Sequence, residues 1–283
     1  MNNETYTIRT MRREELDIAI QWAADEGWNP GLHDADSFYA ADPNGFLIGL
    51  LNDEPIACIS VVKYGDDFGF LGFYIVKPAY RGNGYGIVIW NAGLRYLEGR
   101  NIGLDGVVDQ QENYKKSGFK LAYRNIRYQG QGGNDFLTHP DIVPLSDLHP
   151  QTVIVYDAQF FPADRASFLN IWLTQTDSHG WGILKDGKLA GYGIIRPCRA
   201  GYKIGPLFAD DAELAEALFM MLTSGIPPSE TVYLDTPERN KTAVSLAEKY
   251  GMTVVFETAR MYTAQEPDIP LDRVFGVTTF ELG

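Results

Sequence analysis

One order of secondary-structure signals occurs twice along this chain, and that repetition constrains the fold more than any other feature. In the first half, residues 6–9 read as a short strand and residues 13–24 as a helix with Leu16, Ile20 and Ala23 on one face. Residues 46–51 and 56–64 form a hairpin around Asn52-Asp53-Glu54-Pro55. Residues 70–76 (FLGFYIV) are a buried strand that Pro78 ends, and Ile87, Trp90, Leu94 and Leu97 then recur at helical spacing. Residues 102–107 and 120–128 are further strands. Between them lies a helix over about 110–117, opened by the capping-box pattern Asp109 to Glu112 and closed by Gly118. The Gly-, Pro- and Asp-rich stretch 129–147 reads as a linker. After it come a strand at 153–156, a helix at 163–174, and a hairpin of 181–185 and 189–196 turning on Asp186-Gly187. Strand 202–207, helix 212–222, strand 232–235, helix 241–250 and strand 254–262 complete the match. The expectation is a tandem repeat of one α/β unit, with a first domain over 1–130, a linker over 131–147 and a second domain over 148–283. Sheets that pack or join edge to edge would hide their exposed strand edges.

The strand at 70–76 leads into Arg81-Gly82-Asn83-Gly84-Tyr85-Gly86. Glycine reaches φ > 0 at little cost and lets a ligand approach the backbone. The helix that follows offers free N–H groups and the positive end of its dipole, and successive loop N–H groups can form an anion-binding nest. A phosphate suits such a loop, with Arg81 adding charge at its rim. The spacing matches neither the dinucleotide fingerprint nor the P-loop, and no Lys-Ser pair follows to hold magnesium.

That spacing resembles the R/Q-x-x-G-x-G/A loop with which N-acetyltransferases of the GNAT superfamily hold the pyrophosphate of acetyl-CoA. Further on, Tyr114-Lys-Lys-Ser-Gly118-Phe119 is similar to the Y-x-K-x-G-F motif of that superfamily's fourth helix. The resemblance covers about residues 5–130 in element order and motifs. It implies an α/β (α+β) fold of two tandem units, each a mixed, mainly antiparallel twisted sheet flanked by helices. It implies that Arg81, Gly82, Asn83, Gly84, Tyr85 and Gly86 hold the pyrophosphate, and that backbone groups of Ile75 and Val76 bond the pantetheine. Asn113 is a further candidate for cofactor contact. Tyr114 is implied as the general acid that protonates the departing thiolate, a role open to a positioned phenol. One departure stands out: Val107 occupies the place, seven residues before the tyrosine, where many members carry Asn. The proton acceptor is left open among Asp25, Glu26, Asp66 and Asp67, of which Glu26 and Asp66 are the leading candidates for relaying the amine's proton through water. Trp28 and Tyr74 are candidate walls of an apolar acceptor slot.

The second repeat has kept the elements without the motifs. Where the glycine loop would fall it reads Phe208-Ala-Asp210-Asp211-Ala-Glu213, whose carboxylates would repel a pyrophosphate. Its last helix begins at Asn240 and has Ala247 where the tyrosine would stand. This layout is similar to tandem GNAT proteins of the YitH-like kind, and implies a second unit that shapes or covers the acceptor site.

Composition narrows the partners. A net charge of −13 disfavours nucleic acid, and with no run of 18 apolar residues no membrane span is expected. The start MNNETYTIRTMRREEL has no apolar signal core, and two distant cysteines, Cys58 and Cys198, read as buried thiols; a cytoplasmic setting is expected. Two cysteines and four scattered histidines show no metal-ligand spacing. The sequence reading is therefore acetyl-CoA-dependent acetyl transfer to a small-molecule or peptide amine. Its rivals are a non-catalytic acyl-CoA-binding regulator and an interaction module without cofactor.

Overall fold

A computed structural model of the chain describes residues 5–135 and 139–283. Residues 136–138, inside the expected linker, lie outside the described residues. The first half runs β1 (Tyr6–Thr10), α1 (Leu16–Asp25), α2 (Asp34–Ala41), β2 (Phe46–Leu51), β3 (Glu54–Tyr64), β4 (Phe68–Val76), α3 (Tyr85–Tyr96), β5 (Asn101–Val107), α4 (Gln111–Lys116) and β6 (Lys120–Gln131). The second runs β7 (Ile142–Pro144), α5 (Pro150–Asp157), α6 (Ala166–Trp172), β8 (His179–Lys185), β9 (Lys188–Pro197), β10 (Tyr202–Ala209), α7 (Ala212–Ser224), β11 (Thr231–Pro237), α8 (Lys241–Lys249), β12 (Thr253–Tyr262) and β13 (Val274–Gly276). Among the described residues no helix is long and apolar enough to cross a membrane.

All the strands join one sheet, in the order β1-β2-β3-β4-β5-β12-β6-β11-β10-β9-β8-β7, with β13 alongside β10. The order shows a reciprocal exchange. β12, from the second half, pairs with β5 of the first from Thr258↔Val107 to Tyr262↔Gly103. β6, from the first half, pairs with β11 of the second from Thr231↔Gln131 to Pro237↔Asn125. Each half thus completes its sheet with a strand of the other, β12 beside β5 and β6 beside β11, in one continuous ladder. Most pairings are antiparallel; β4–β5 and β10–β11 are parallel.

Helices cover both faces. The cluster under α3 and α4 holds Val61, Leu71, Trp90, Leu104 and Phe119, and the cluster under α7 and α8 holds Leu218, Phe219, Leu246 and Ala247. The opposite face is a core shared between the halves, where Phe38 of α2 stacks on Trp172 of α6 with ring centroids 6.2 Å apart. Buried ion pairs tie the halves together. Arg127 on β6 and Asp235 on β11 form two bonds of 2.7 Å, and Asp34 on α2 accepts from Arg196 on β9 at 2.8 Å.

Four sequence expectations need correcting. Residues 153–156 are not a strand but part of α5. Pro150 sits at the helix's first turn, where its missing N–H costs nothing, and the His149 side chain accepts from the Gln151 N–H. Asp109 does not cap α4; the preceding residues form a 3₁₀ turn and no side-chain cap is made. The buried face of α3 runs through Ile89, Trp90, Gly93 and Leu97, while Ile87 is exposed. Gly93 sets that face, because a Cβ there would meet Val61 at 2.7 Å. The stretch read as linker carries the end of β6 and the short strand β7. Helix α2 and strand β13 were not expected at all.

Candidate active site

β4 and β5 pair in parallel only from Phe68↔Asn101 to Leu71↔Leu104, and beyond that point they separate. The cause is local. On β3 the partners step two residues, from Cys58 to Ser60, while on β4 they step three, from Ile75 to Gly72. This extra residue is a β-bulge, with Phe73 at φ 45°, and a bulge bends its strand. A cavity of about 580 Å³ opens in the gap. It is lined by 72–76 of β4, by Asp105, Gly106 and Val107 of β5, by the glycine loop, by Tyr114, and by Phe256, Thr258, Phe280 and Glu281 from the far end of the chain.

The glycine loop forms one mouth of this cavity. Gly82 and Gly84 adopt φ of 80° and 86°, which side chains rarely tolerate, and Gly84 is the N-terminal cap of α3. No side chain caps that helix, and the N–H groups of a helix's first turn have no partner within the helix itself. Gly86 is required for space, since a Cβ there would lie 2.7 Å from the Tyr74 hydroxyl. An anionic phosphate fits this donor set. Arg81 lies at the rim, where its Nε donates to the Val76 carbonyl at 2.8 Å and its guanidinium pairs with Glu26.

Tyr114 faces the cavity from α4. Its ring stacks on Trp90, with centroids 5.6 Å apart, and lies against Gly106, where a Cβ would approach the ring to 2.1 Å. Burial is the main cause that pushes its hydroxyl up to about 12, with Tyr74 adding to it. The phenol is therefore protonated across the physiological range, as a proton donor must be.

The candidates from the sequence sort by place. Glu26, Trp28, Tyr74, Ile75, Val76, Arg81, Gly82, Gly84, Gly86 and Tyr114 meet at the cavity, and Val107 lines it too. Asn83, Tyr85 and Asn113 are outside its lining, and the Asn113 amide donates to Gln110. Asp66 sits in the 65–67 turn before β4, at the opposite end of the strand from the cavity. The sequence reading passed over Asp105 of β5, Phe256, which the exchanged strand β12 brings here, and Phe280 and Glu281, which the segment after β13 delivers. Gly106 carried a readable sign, an isolated glycine within a strand.

The matching gap of the second half is closed. β10 and β11 pair in parallel from Tyr202↔Val232 to Ile204↔Leu234, and beyond them β13 pairs with β10 at Leu207↔Gly276. Asn240 holds β13 by donating to the carbonyls of Asp272 and Val274 at 3.0 Å. Asp211 caps α7 by accepting from the Leu214 N–H, and the Tyr156 hydroxyl donates to Asp210 at 2.8 Å. Among the described residues no cluster of His, Cys, Asp or Glu could hold a metal ion.

A split parallel pair, an uncapped glycine-led helix and a phenol at the cleft define an acyltransferase of the GNAT class, and the chain belongs to that family. The sequence profile of the acetyltransferase (GNAT) family matches residues 9–119, and that of an acetyltransferase (GNAT) domain matches 153–276. Among individual proteins, the chain is 32% identical over 281 residues to the holothin acyltransferase of a Pseudoalteromonas species, covering 99% of this chain and 96% of that one. It is 26% identical over 175 residues to YitH of Bacillus subtilis, an uncharacterized N-acetyltransferase, covering 60% of this chain and 61% of that one. A Pyrococcus horikoshii structure described as a candidate acetyltransferase shares the fold, with TM-score 0.82 and 23% identity over 98% of this chain and 96% of that one. The chain is thus a tandem GNAT acyltransferase, of a family that uses an acyl-CoA co-substrate.

Proposed function

We propose that the chain transfers an acetyl group directly from acetyl-CoA to a primary amine of a small molecule or peptide. The supporting observation is the position of Tyr114, a buried, protonated phenol on the cavity that the glycine loop opens into. Loop N–H groups from Gly82 to Gly86 and the start of α3 hold the pyrophosphate, and the unpaired edge of β4 at Ile75 and Val76 bonds the pantetheine amides as an added strand would. Acetyl-CoA supplies an activated acyl carbon with a thiolate leaving group. A backbone N–H of β4 polarises the acyl carbonyl, and Tyr114 gives its hydroxyl proton to the sulfur. The first half carries this chemistry, and the second, its own gap filled by β13, supplies acceptor-side walls at Phe256, Thr258 and Phe280. The holothin acyltransferase acts on holothin by its name, so a small-molecule amine is the first acceptor class to test. The test is thiol release from acetyl-CoA with a panel of primary amines, products weighed by mass spectrometry. Acetylated amine in proportion to released CoA is expected. Tight acetyl-CoA binding with no transfer to any amine would refute the reading.

A further inference from the structure

Among the described residues, three carboxylates line the cavity: Glu26, Asp105 and Glu281. Two are committed. Glu26 is paired with Arg81. Asp105 accepts from Arg260 Nε at 3.0 Å, from the Asn125 amide at 2.8 Å and from the Thr258 hydroxyl at 3.1 Å. Glu281 is different. It is only 5% exposed, and among the described residues its carboxylate makes no hydrogen bond or ion pair.

The charged groups around it each bind another partner, although Nη1 of Arg196 is left without one. Arg127 of β6 is bound to Asp235 and the Trp28 carbonyl, Arg196 of β9 to Asp34 of α2, and Lys203 of β10 to the Asn29 carbonyl. They act on Glu281 only through space. Burial raises its carboxyl above the ordinary range, Asp34 adds to that, and Lys203, Arg127 and Arg196 pull it back. Such a group is a stronger base than a solvated glutamate.

Its position is rigid. The Val277 N–H donates to the Asp235 carbonyl at 2.8 Å, the Leu282 N–H to Thr279 Oγ1 at 2.9 Å, and the Tyr64 hydroxyl to the Leu282 carbonyl at 3.2 Å. The Glu281 carbonyl lies so close to Gly72 that a Cβ there would approach it to 2.2 Å. Gly72 is the first β4 residue beyond the last β4–β5 pair. The segment therefore delivers Glu281 to the point where the strands part, on walls that include Trp28, Phe73, Tyr74, Phe256 and Phe280.

We propose that Glu281 is the proton acceptor of the transfer, and that it faces an amine carried on an aromatic or apolar body. This deepens the acetyl-transfer reading and rests on it. In the step, the acceptor nitrogen bonds to the acyl carbon and the carbon–sulfur bond breaks. The nitrogen's surplus proton passes to the Glu281 carboxylate, directly or through one water, while the sulfur takes the proton of Tyr114. The proton on Glu281 then returns through water to the Tyr114 oxygen. A neutral amine and thioester thus yield an amide and a thiol, with no proton left over. An acceptor arriving as an ammonium first releases one proton to solvent.

The test compares the wild-type chain with Glu281→Gln and Glu281→Asp, using benzylamine and tryptamine as aromatic probes and spermidine as a polar one. For Glu281→Gln we expect kcat/KM for the aromatic amines to fall by about 10²–10⁴-fold, the range for a lost general base. Its pH profile should lose the acidic limb, and acetyl-CoA affinity and melting temperature should hold. Glu281→Asp should recover part of the rate with that limb present. Glu281→Gln within threefold of wild type, or a parallel loss of acetyl-CoA affinity, would overturn the proton-acceptor role. Preference for spermidine over both aromatic amines would overturn the acceptor class. A wild-type chain that binds no acetyl-CoA would overturn the underlying reading instead, a failure distinguishable because it appears without any substitution.

Discussion

Replacing Tyr114 by Phe removes one oxygen and leaves the rest of its surroundings in place. The ring is fixed by Trp90, at 5.6 Å between centroids, and by the bare backbone of Gly106, and phenylalanine satisfies both contacts. Stability and acetyl-CoA affinity should therefore change little. What disappears is the proton for the departing thiolate. A lost general acid costs about 10²–10⁴ in rate, or about 2.7–5.4 kcal/mol of barrier at 1.36 kcal/mol per decade. Because burial raises the hydroxyl to about 12, the wild-type enzyme should show no basic limb from this group below about pH 10. The assay is thiol release at saturating acetyl-CoA, followed from pH 6 to 10 for both proteins, with affinity measured in parallel by calorimetry. A kcat for Tyr114→Phe within threefold of wild type would refute the assignment. Equal losses in affinity and kcat would make Tyr114 a binding residue.

Other perturbations separate cradle, sheet and core. Gly84→Asp should abolish acetyl-CoA binding in a folded protein, because it puts a carboxylate in the cradle and forces a side chain to φ 86° at a cost of about 1–2 kcal/mol; undiminished affinity would reduce the loop to a turn. A fragment ending at residue 135 should be insoluble or unfolded, since β6 pairs with β11 and β12, both absent; a soluble, cooperatively melting fragment would argue that the exchange is dispensable. Asp235→Ala should destabilise the protein by about 3–5 kcal/mol in denaturant titrations by leaving Arg127 buried and unpaired, and a loss under 1 kcal/mol would show that the pair is not a structural tie.

Features coded by neighbouring residues were legible in the sequence. Asn52-Asp53 and Asp186-Gly187 both adopt positive φ, as tight hairpin turns require, and both hairpins fall where expected. The glycine loop and Tyr114 stood out in the sequence because each is a motif of residue types at short spacing, and the structure brings both to one cavity. Features that depend on distant chain were not. Residues 153–156 are β-branched and aromatic and favour a strand in isolation, yet Val153 and Tyr156 are buried in the shared core as a helix face. The exchange of β6 and β12 leaves no local trace, since each strand has the same pattern whichever half it joins. Glu281 stands alone in TTFELG, and its meaning comes only from Gly72 and Tyr64, more than 200 residues away.

We propose that the tandem chain carries one acyl-CoA cleft, between β4 and β5, the equivalent gap between β10 and β11 being filled by β13. Calorimetric titration of the full chain with acetyl-CoA tests it most directly. One acetyl-CoA per chain is expected, lost in Gly84→Asp and retained in Asp211→Asn. Two per chain would contradict the closed second gap, and one per chain that survives Gly84→Asp but not the Asp211 substitution would place the cleft in the wrong half.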